Sequence, residues 1–382
     1  MTDMKRTAAL AAMALIGASV LASGHNRDLK IWFDKPASDW ESESVPVGNG
    51  SLGANIIGTV ETEHITFNEK TLWRGGPNTS KGAAYYWDVN KESAHLLDDI
   101  RQAFADGEDQ KAAMLTRKNF NGTASYEPYM EDPFRFGNFT TMGGFQIETG
   151  IQESGITGYR RELSLDRALG TVSFEKDSVS YERNCFISYP HNVMVIRFTA
   201  DKPGMQNLTF SYVPNPDAKG TMTGDGDNGL TYMGRLNNNS MEYVVRIRAF
   251  CKGGKISNQR KSLDIEGADE VVFIVTADTD YMVNFDPDFS DPKAYVGVNP
   301  AQTTSAWIEE ASALGYDALY EAHYNDYSSL FDRVSLKLND GDMNEDIPDV
   351  ASWVVPHSVG PRFLGPLLIR TRCPDTSSNS TL

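Results

Sequence analysis

Apolar positions along the chain fall mainly into short runs of period two, broken by turn residues. Thr171-Val-Ser-Phe174 and Val179-Ser-Tyr181 alternate around Lys176-Asp177-Ser178, which predicts a hairpin. Val193–Phe198, Leu208–Tyr212, Tyr243–Phe250 and Val271–Val275 are rich in β-branched and aromatic residues, and several are apolar at both parities. Side chains alternate across a strand, so such runs predict strands buried between two sheets. Many strands without intervening helices predict an all-β dominated fold, a large antiparallel sandwich.

Two segments carry a different period. Lys91–Arg117 has Leu97, Ile100 and Phe104 at helical spacing, pauses at Gly107, and resumes through Ala112 and Leu115, predicting a helical pair inserted between strands. From Ser305 to Leu330, Trp307, Ala311, Leu314, Ala318, Leu319 and Ala322 follow steps of three and four. Gly315 weakens that helix near its middle, by about 1 kcal/mol against Ala. Val334, Leu336 and Leu338 then alternate as a short strand. From Asp349 to Leu382 four prolines (Pro356, Pro361, Pro366, Pro374) and a low-complexity end predict an unstructured tail.

The first residues add a destination. Lys5-Arg6 precedes an apolar run from Ala8 to Ala22, followed by polar His25-Asn26-Arg27-Asp28. This is the layout of a secretory signal, too short for a membrane span, with Val20-Leu21-Ala22 as a cleavage site. No cysteine follows the run, so a lipid anchor is not supported. The expectation is an exported, soluble protein without a membrane anchor. The boundaries are then a signal peptide at 1–24, a sandwich at 25–300, a helical linker and short strand at 301–348, and the tail at 349–382.

Charge and cysteine content exclude more than they name. With 35 Lys and Arg against 52 Asp and Glu, the 382-residue chain carries −17, a poor match for nucleic acid or anionic membranes. Cys185, Cys251 and Cys373 form no framework, and no Cys-x-x-Cys pair is present. The six His lack metal spacing, so no metal or cofactor is expected. Gly48-Asn-Gly-Ser-Leu-Gly53 lacks the strand and helix of a phosphate loop and reads as a tight turn. Asp225-Gly-Asp-Asn-Gly229 and Asp340-Gly-Asp342 read as solvated turns rather than calcium loops. Arg160-Arg161-Glu162 reads as a surface or sheet-edge cluster. Asp39, Glu41 and Glu43, like Glu61 and Glu63, read as solvated strand faces. Glycoside hydrolysis would need two carboxyl groups, but spacing alone selects no pair, and no catalytic, cofactor-binding or metal-binding residue is assigned.

Leu29-Lys-Ile-Trp-Phe-Asp-Lys-Pro-Ala-Ser-Asp-Trp40, Val45-Pro-Val-Gly-Asn-Gly-Ser-Leu-Gly-Ala54 and Ile65-Thr-Phe-Asn-Glu-Lys-Thr-Leu-Trp-Arg-Gly-Gly-Pro77 carry a resemblance. Further motifs follow in order at Ile100–Gly107, Tyr159–Asp166, Arg197–Gly204 and His323–Val334. Together they resemble the amino-terminal domain of glycoside hydrolase family 95, the inverting exo-α-L-fucosidases and their α-L-galactosidase relatives. The resemblance implies an amino-terminal β-supersandwich, a helical linker, a catalytic (α/α)6 barrel and a carboxy-terminal β domain. It places the Glu general acid and Asp general base in the barrel, beyond every matching position. Past Ile347-Pro348 the family pattern gives way to Asp349-Val-Ala-Ser-Trp353, which suggests a frameshift, gene-model error or pseudogene product and a chain without the barrel. Such a chain is expected to be inactive alone, with a sandwich face made to dock the barrel and fucosylated glycans as substrates of the intact enzyme. Gly144 stands where family members often carry Asp. The rival expectation is a stand-alone carbohydrate-binding or structural sandwich in which Trp40, Trp73 or Trp87 could stack on sugar faces, although core or interface packing is the expected role of each.

Overall fold

A computed structural model describes residues 29–75, 91–120, 138–287, 291 and 293–335. The expected signal at 1–24, Trp87, Asp340-Gly-Asp342, Leu336, Leu338 and the tail lie outside the described residues.

The chain begins with β1 (Lys30–Phe33), β2 (Val45–Gly48), β3 (Leu52–Ile56), β4 (Thr62–Glu69) and β5 (Trp73–Arg74). A 3-10 turn (Lys91–Leu96) leads into α1 (Leu97–Ala105) and α2 (Asp109–Asn119). There follow β6 (Asn138–Phe139), β7 (Gly143–Glu148), β8 (Thr157–Ser164), β9 (Leu169–Lys176), β10 (Val179–Ser188) and β11 (Val193–Ala200). Then come β12 (Gln206–Pro214), β13 (Ala218–Asp225), β14 (Gly229–Leu236), β15 (Glu242–Asn258), β16 (Ser262–Thr279) and α3 (Pro300–Phe331). The expected hairpin is β9–β10, with Asp177 and Ser178 at φ 51° and 60°, the pair of positive values that a tight two-residue turn demands. Gly48–Gly53 is the turn joining β2 to β3, as its composition predicts.

Fourteen antiparallel strands form one curled sheet, ordered β1-β8-β9-β10-β11-β16-β12-β7-β4-β3-β2, with β13, β14 and β15 continuing from β16. The 18-residue β16 makes the curl. Its first half pairs with β12, its second half with β11, and its other edge with β15 along its length. The sheet thereby faces itself across an aromatic core. Phe210 stacks on Phe273 at 4.3 Å, and Phe145 meets Phe210 and Phe67 at 5.3 and 5.2 Å. Gly144 of β7 lies so close to β4 that a Cβ there would sit 2.6 Å from the Ile65 carbonyl oxygen. An Asp at this position could not be accommodated without moving β4 or β7.

The two-parity strands are covered differently from the expectation. Their inner face, with Ile196, Phe273 and Val275, meets the opposite layer of the curl. Their outer face, with Phe186, Val193, Val195, Val272 and Ile274, is covered by α3, not by a second sheet. Helix α3 starts at Pro300, five residues before the sequence pattern suggests. Asn299 caps it, its Oδ1 accepting from the Ala301 and Gln302 N–H groups at 3.2 and 3.3 Å, and proline suits the first turn. Gly315 interrupts the helix at φ 76° and ψ 173°, a conformation essentially confined to glycine. The buried face nevertheless carries through the break in steps of three and four. Ile308, Ala311, Leu319 and His323 are buried, whereas Leu314 and Ala318, expected on the apolar stripe, are exposed.

The expected helical pair is present as α1 and α2, closed on Ile100, Ala103 and Ala112, while Leu97 and Phe104 are exposed.

Three charge assignments are corrected. Glu63 does not lie on a solvated face: it is 2% exposed and pairs with Arg183 inside the curl, Oε2 to Nη1 at 3.1 Å. Its Oε1 accepts from the Gly58 and His64 N–H groups at 2.8 and 3.1 Å. Arg161 is buried on β8, between β1 and β9, with its guanidinium 4.4 Å over Phe33 and Nη1 donating to the Glu43 carbonyl at 2.6 Å. It is therefore not a sheet-edge charge. Asp39 and Glu43 belong to a turn, not a strand: Asp39 accepts from Ser42 and Glu43 from Ser38.

Candidate functional site

The ends of β4 and β16, the small β5–β6 sheet, the start of β15 and the first turn of α3 come together at one end of the curl. Three carboxyl groups are concentrated there. Glu69 closes β4, and its Oε2 accepts from the Thr71 N–H at 2.8 Å and from the Thr71 hydroxyl. That hydroxyl also meets the Thr279 hydroxyl, tying the β4–β5 turn to β16. Asp278 accepts from the Thr279 N–H at 3.0 Å and from the Thr303 hydroxyl at 2.5 Å, tying β16 to α3. Asp280 lies buried two residues further on.

Burial pushes all three carboxyl groups above their ordinary range. For Glu69, burial is the main cause and the charge of Asp278 adds to it, against hydrogen bonds from Thr71. Asp278 is raised by burial despite Thr303 and Thr279. Asp280 is pushed by burial to about 6, partly offset by a hydrogen bond from the Glu242 backbone and by Arg235. A folded-state value above the ordinary 3.8 makes Asp280 stabilising when protonated, with that contribution lost as pH rises through about 6. Asp280→Asn keeps the neutral form at every pH. Its stability by urea titration is therefore expected to fall less than wild type between about pH 4 and pH 7, and parallel curves would contradict this.

Beside the carboxylates lie groups that hold the β5–β6 sheet. Asn239 donates to the Trp73 and Gly75 carbonyls at 2.7 and 2.9 Å, Asn215 donates to the Thr140 hydroxyl at 2.9 Å, and Arg74 pairs with Asp217. The Trp73 indole N–H donates to the Lys70 carbonyl at 2.8 Å, leaving its ring edge-on to Phe139 with both side chains exposed. Past Thr279 the chain exposes Met282, Val283 and Phe285, the last at 92%, together with Val296. Trp40 is also exposed rather than packed in the core.

Raised carboxyls in a group are a common mark of acid–base chemistry. Here each of Glu69 and Asp278 spends its acceptors on threonines that join structural elements, so the arrangement ties the end of the curl together. Trp73 and Phe139, in ring contact, are exposed, as are Met282, Val283 and Phe285, close together in the chain, and grouped apolar exposure marks an interaction surface. Sequence reasoning passed over Glu69, Asp278 and Asp280. The available signal was Asp278-Thr279-Asp280 closing the apolar run of β16, where acidic groups must be buried or capped. Asp225, expected in a solvated turn, closes β13 just before the β13–β14 turn, half-buried, and pairs with Arg248 at 3.0 Å. Among the described residues no group of three or more His, Cys, Asp or Glu could hold a metal, and no helix is long and apolar enough to cross a membrane.

Comparisons with known proteins agree with this architecture. The model of the family described as "Glycosyl hydrolase family 65, N-terminal domain" matches residues 31–284. "Alpha-L-fucosidase 2" of Arabidopsis thaliana is 27% identical over 86% of this chain and 39% of its own length. "Probable alpha-fucosidase A" of Aspergillus niger is 28% identical over 90% of this chain and 41% of its own. The protein of the same name in Aspergillus oryzae is 23% identical over 86% of this chain and 43% of its own. The chain thus spans about two-fifths of the length of these curated relatives. It belongs to the family of glycosyl hydrolase family 65 N-terminal domains, and its homology to alpha-L-fucosidases agrees with the family 95 resemblance carried by its motifs.

Proposed function

We propose that this chain is the amino-terminal sandwich domain of an exported α-L-fucosidase-type glycoside hydrolase, a structural partner of the catalytic region and not itself the seat of chemistry. The observation that carries the structural role is the end of the curl, where engaged carboxylates lie behind exposed Trp73, Phe139, Met282, Val283 and Phe285. The fucosidase activity is drawn from the relatives' names and the motif resemblance. The whole enzyme would remove terminal α-L-fucose from glycans by inversion, with its two carboxyl groups roughly 6.5–9.5 Å apart to admit a water. The apolar side chains at the end of the curl would dock the catalytic barrel. Export rests on the signal layout of the first 24 residues.

A chimera tests this reading. Residues 29–335 would replace the matching segment of the Aspergillus niger relative, with fucose release measured on a 2'-fucosylated oligosaccharide. Release is expected; a folded chimera without release would overturn the proposal. The second reading, a stand-alone carbohydrate-binding sandwich, draws on the exposed Trp73–Phe139 pair. Glycan binding by the full chain that is lost in Trp73→Ala would favour it.

A further inference from the structure

The two halves of α3 are held by different chemistry. Residues 300–314 are fixed by Arg246, whose Nη2 donates to the Ala301 carbonyl and Nε to the Thr304 hydroxyl, both at 3.2 Å, and by the Asp278–Thr303 hydrogen bond. Beyond the Gly315 break, residues 316–331 lie on the sheet through a ladder of rings. Tyr316, Tyr320 and His323 surround Phe186 of β10, with centroids at 5.8, 5.5 and 4.8 Å, and Tyr327 stacks on Phe331 at 5.3 Å. Polar contacts fasten this segment as well: the Arg197 guanidinium of β11 lies 4.5 Å over the Tyr316 ring, and Arg167 of the β8–β9 turn hydrogen-bonds Tyr320. The Tyr327 hydroxyl donates to the Leu165 carbonyl, and His323 Nε2 donates to the Arg167 carbonyl at 3.0 Å. His323 is 4% exposed and sits between Phe186 and Tyr327.

We propose that residues 316–331 form a hinged arm, pivoting at Gly315 and latched to the sandwich by the neutral imidazole of His323, so that mild acid releases it. This goes beyond the role of the domain in hydrolysis and does not depend on it.

A charged imidazole at this place would have to be held in a largely apolar setting. The groups around the arm offer limited compensation. The β8–β9 turn brings Asp166 and Arg167, whose influence falls on Tyr320, and Asp166 also acts on Tyr327. β10 brings Glu182 and β11 brings Arg197, both acting on Tyr316. Arg197 is itself paired with Glu270 of β16, which also pairs with Lys252 of β15. On the arm, Asp326 favours the cation, as do carbonyls of Arg167, Ala168 and Ile187, but burial outweighs them and holds His323 below its ordinary 6.5. In the released arm the ring is hydrated and regains its ordinary value. As pH falls below about 6.5, the released state therefore takes up the proton first, and the balance shifts toward it. The segment 300–314 has no histidine, and Arg246 holds it through Ala301 and Thr304.

Hydrogen–deuterium exchange on the full chain, corrected for the intrinsic effect of pH, reads this directly. Between about pH 7.5 and pH 5.5, protection of 316–331 is expected to fall several-fold relative to 300–314, with about tenfold as the ceiling for one group that returns to 6.5 on release. His323→Gln, which keeps a donor without titrating, should abolish that difference, and His323→Phe, which keeps the ring packing, should do the same. Protection of 316–331 that is independent of pH in the wild type would overturn the proposal, as would an undiminished fall in either folded variant. A ring-proton titration gives a separate reading on the wild-type chain: all six histidines titrating at or above 6.5 would also overturn it.

Discussion

Arg183→Met is expected to lower unfolding stability by about 3–5 kcal/mol, the usual effect of stranding one charge of a buried pair. Arg183 holds more than Glu63. Its Nη1 and Nη2 donate to the Thr59 and Val60 carbonyls at 2.5 and 2.7 Å, and its guanidinium lies 5.4 Å from the rings of Phe174 and Phe198. It thereby fastens the β3–β4 connection to β10 across the interior. Methionine keeps part of the packing and none of the positive charge, leaving Glu63, whose carboxyl burial already pushes above its ordinary range, to rest its charge on two backbone N–H groups or take up a proton. Adding Glu63→Gln removes that charge while retaining an acceptor, and should restore most of the loss. Equilibrium unfolding in guanidinium measures both variants. A loss below about 1 kcal/mol for the single variant would place the pair among the weak, water-exposed kind.

Phe273→Ala is expected to cost about 3–5 kcal/mol, the range for truncating a buried phenylalanine. Phe273 is fully buried on β16, stacked on Phe210 at 4.3 Å and edge-on to Phe198 at 6.0 Å. These partners belong to β12 and β11, the strands that diverge along the two halves of β16. The ring therefore fills the point at which the sheet folds over on itself, and removing it leaves a void between layers that cannot easily close. The same unfolding experiment checks it. A loss near that of an exposed substitution, within about 0.5 kcal/mol, would contradict the assignment of this position to the centre of the core.

Period and residue type made much of this architecture readable in advance. The β9–β10 hairpin, the strands through Val193, Leu208, Tyr243 and Val271, the helical pair and the helix weakened at Gly315 all occur in the structure. The two-parity strands revealed that both faces were covered, yet apolarity alone could not say whether a sheet or a helix covered the second face. Gly315 signalled a weak point, but more than one helical stripe fits these apolar residues, and the buried one runs through Thr304, Ile308, Ala311, Leu319 and His323, leaving Leu314 and Ala318 exposed. Charge was the least legible property. Glu63 alternates with Glu61 as an exposed pair would, and only the return of β10 from 120 positions away brings Arg183 to it. Likewise, Glu69 and Asp278 are joined through Thr71 and Thr279, whose separation of 208 positions has no local signature.

The central claim, that these residues build a scaffold for fucoside hydrolysis and do not perform it, is tested most directly by turnover. The full chain, confirmed as folded, would be incubated with a 2'-fucosylated oligosaccharide and free fucose measured over time. The account predicts no release above the protein-free blank; clear, enzyme-dependent release of fucose would contradict it.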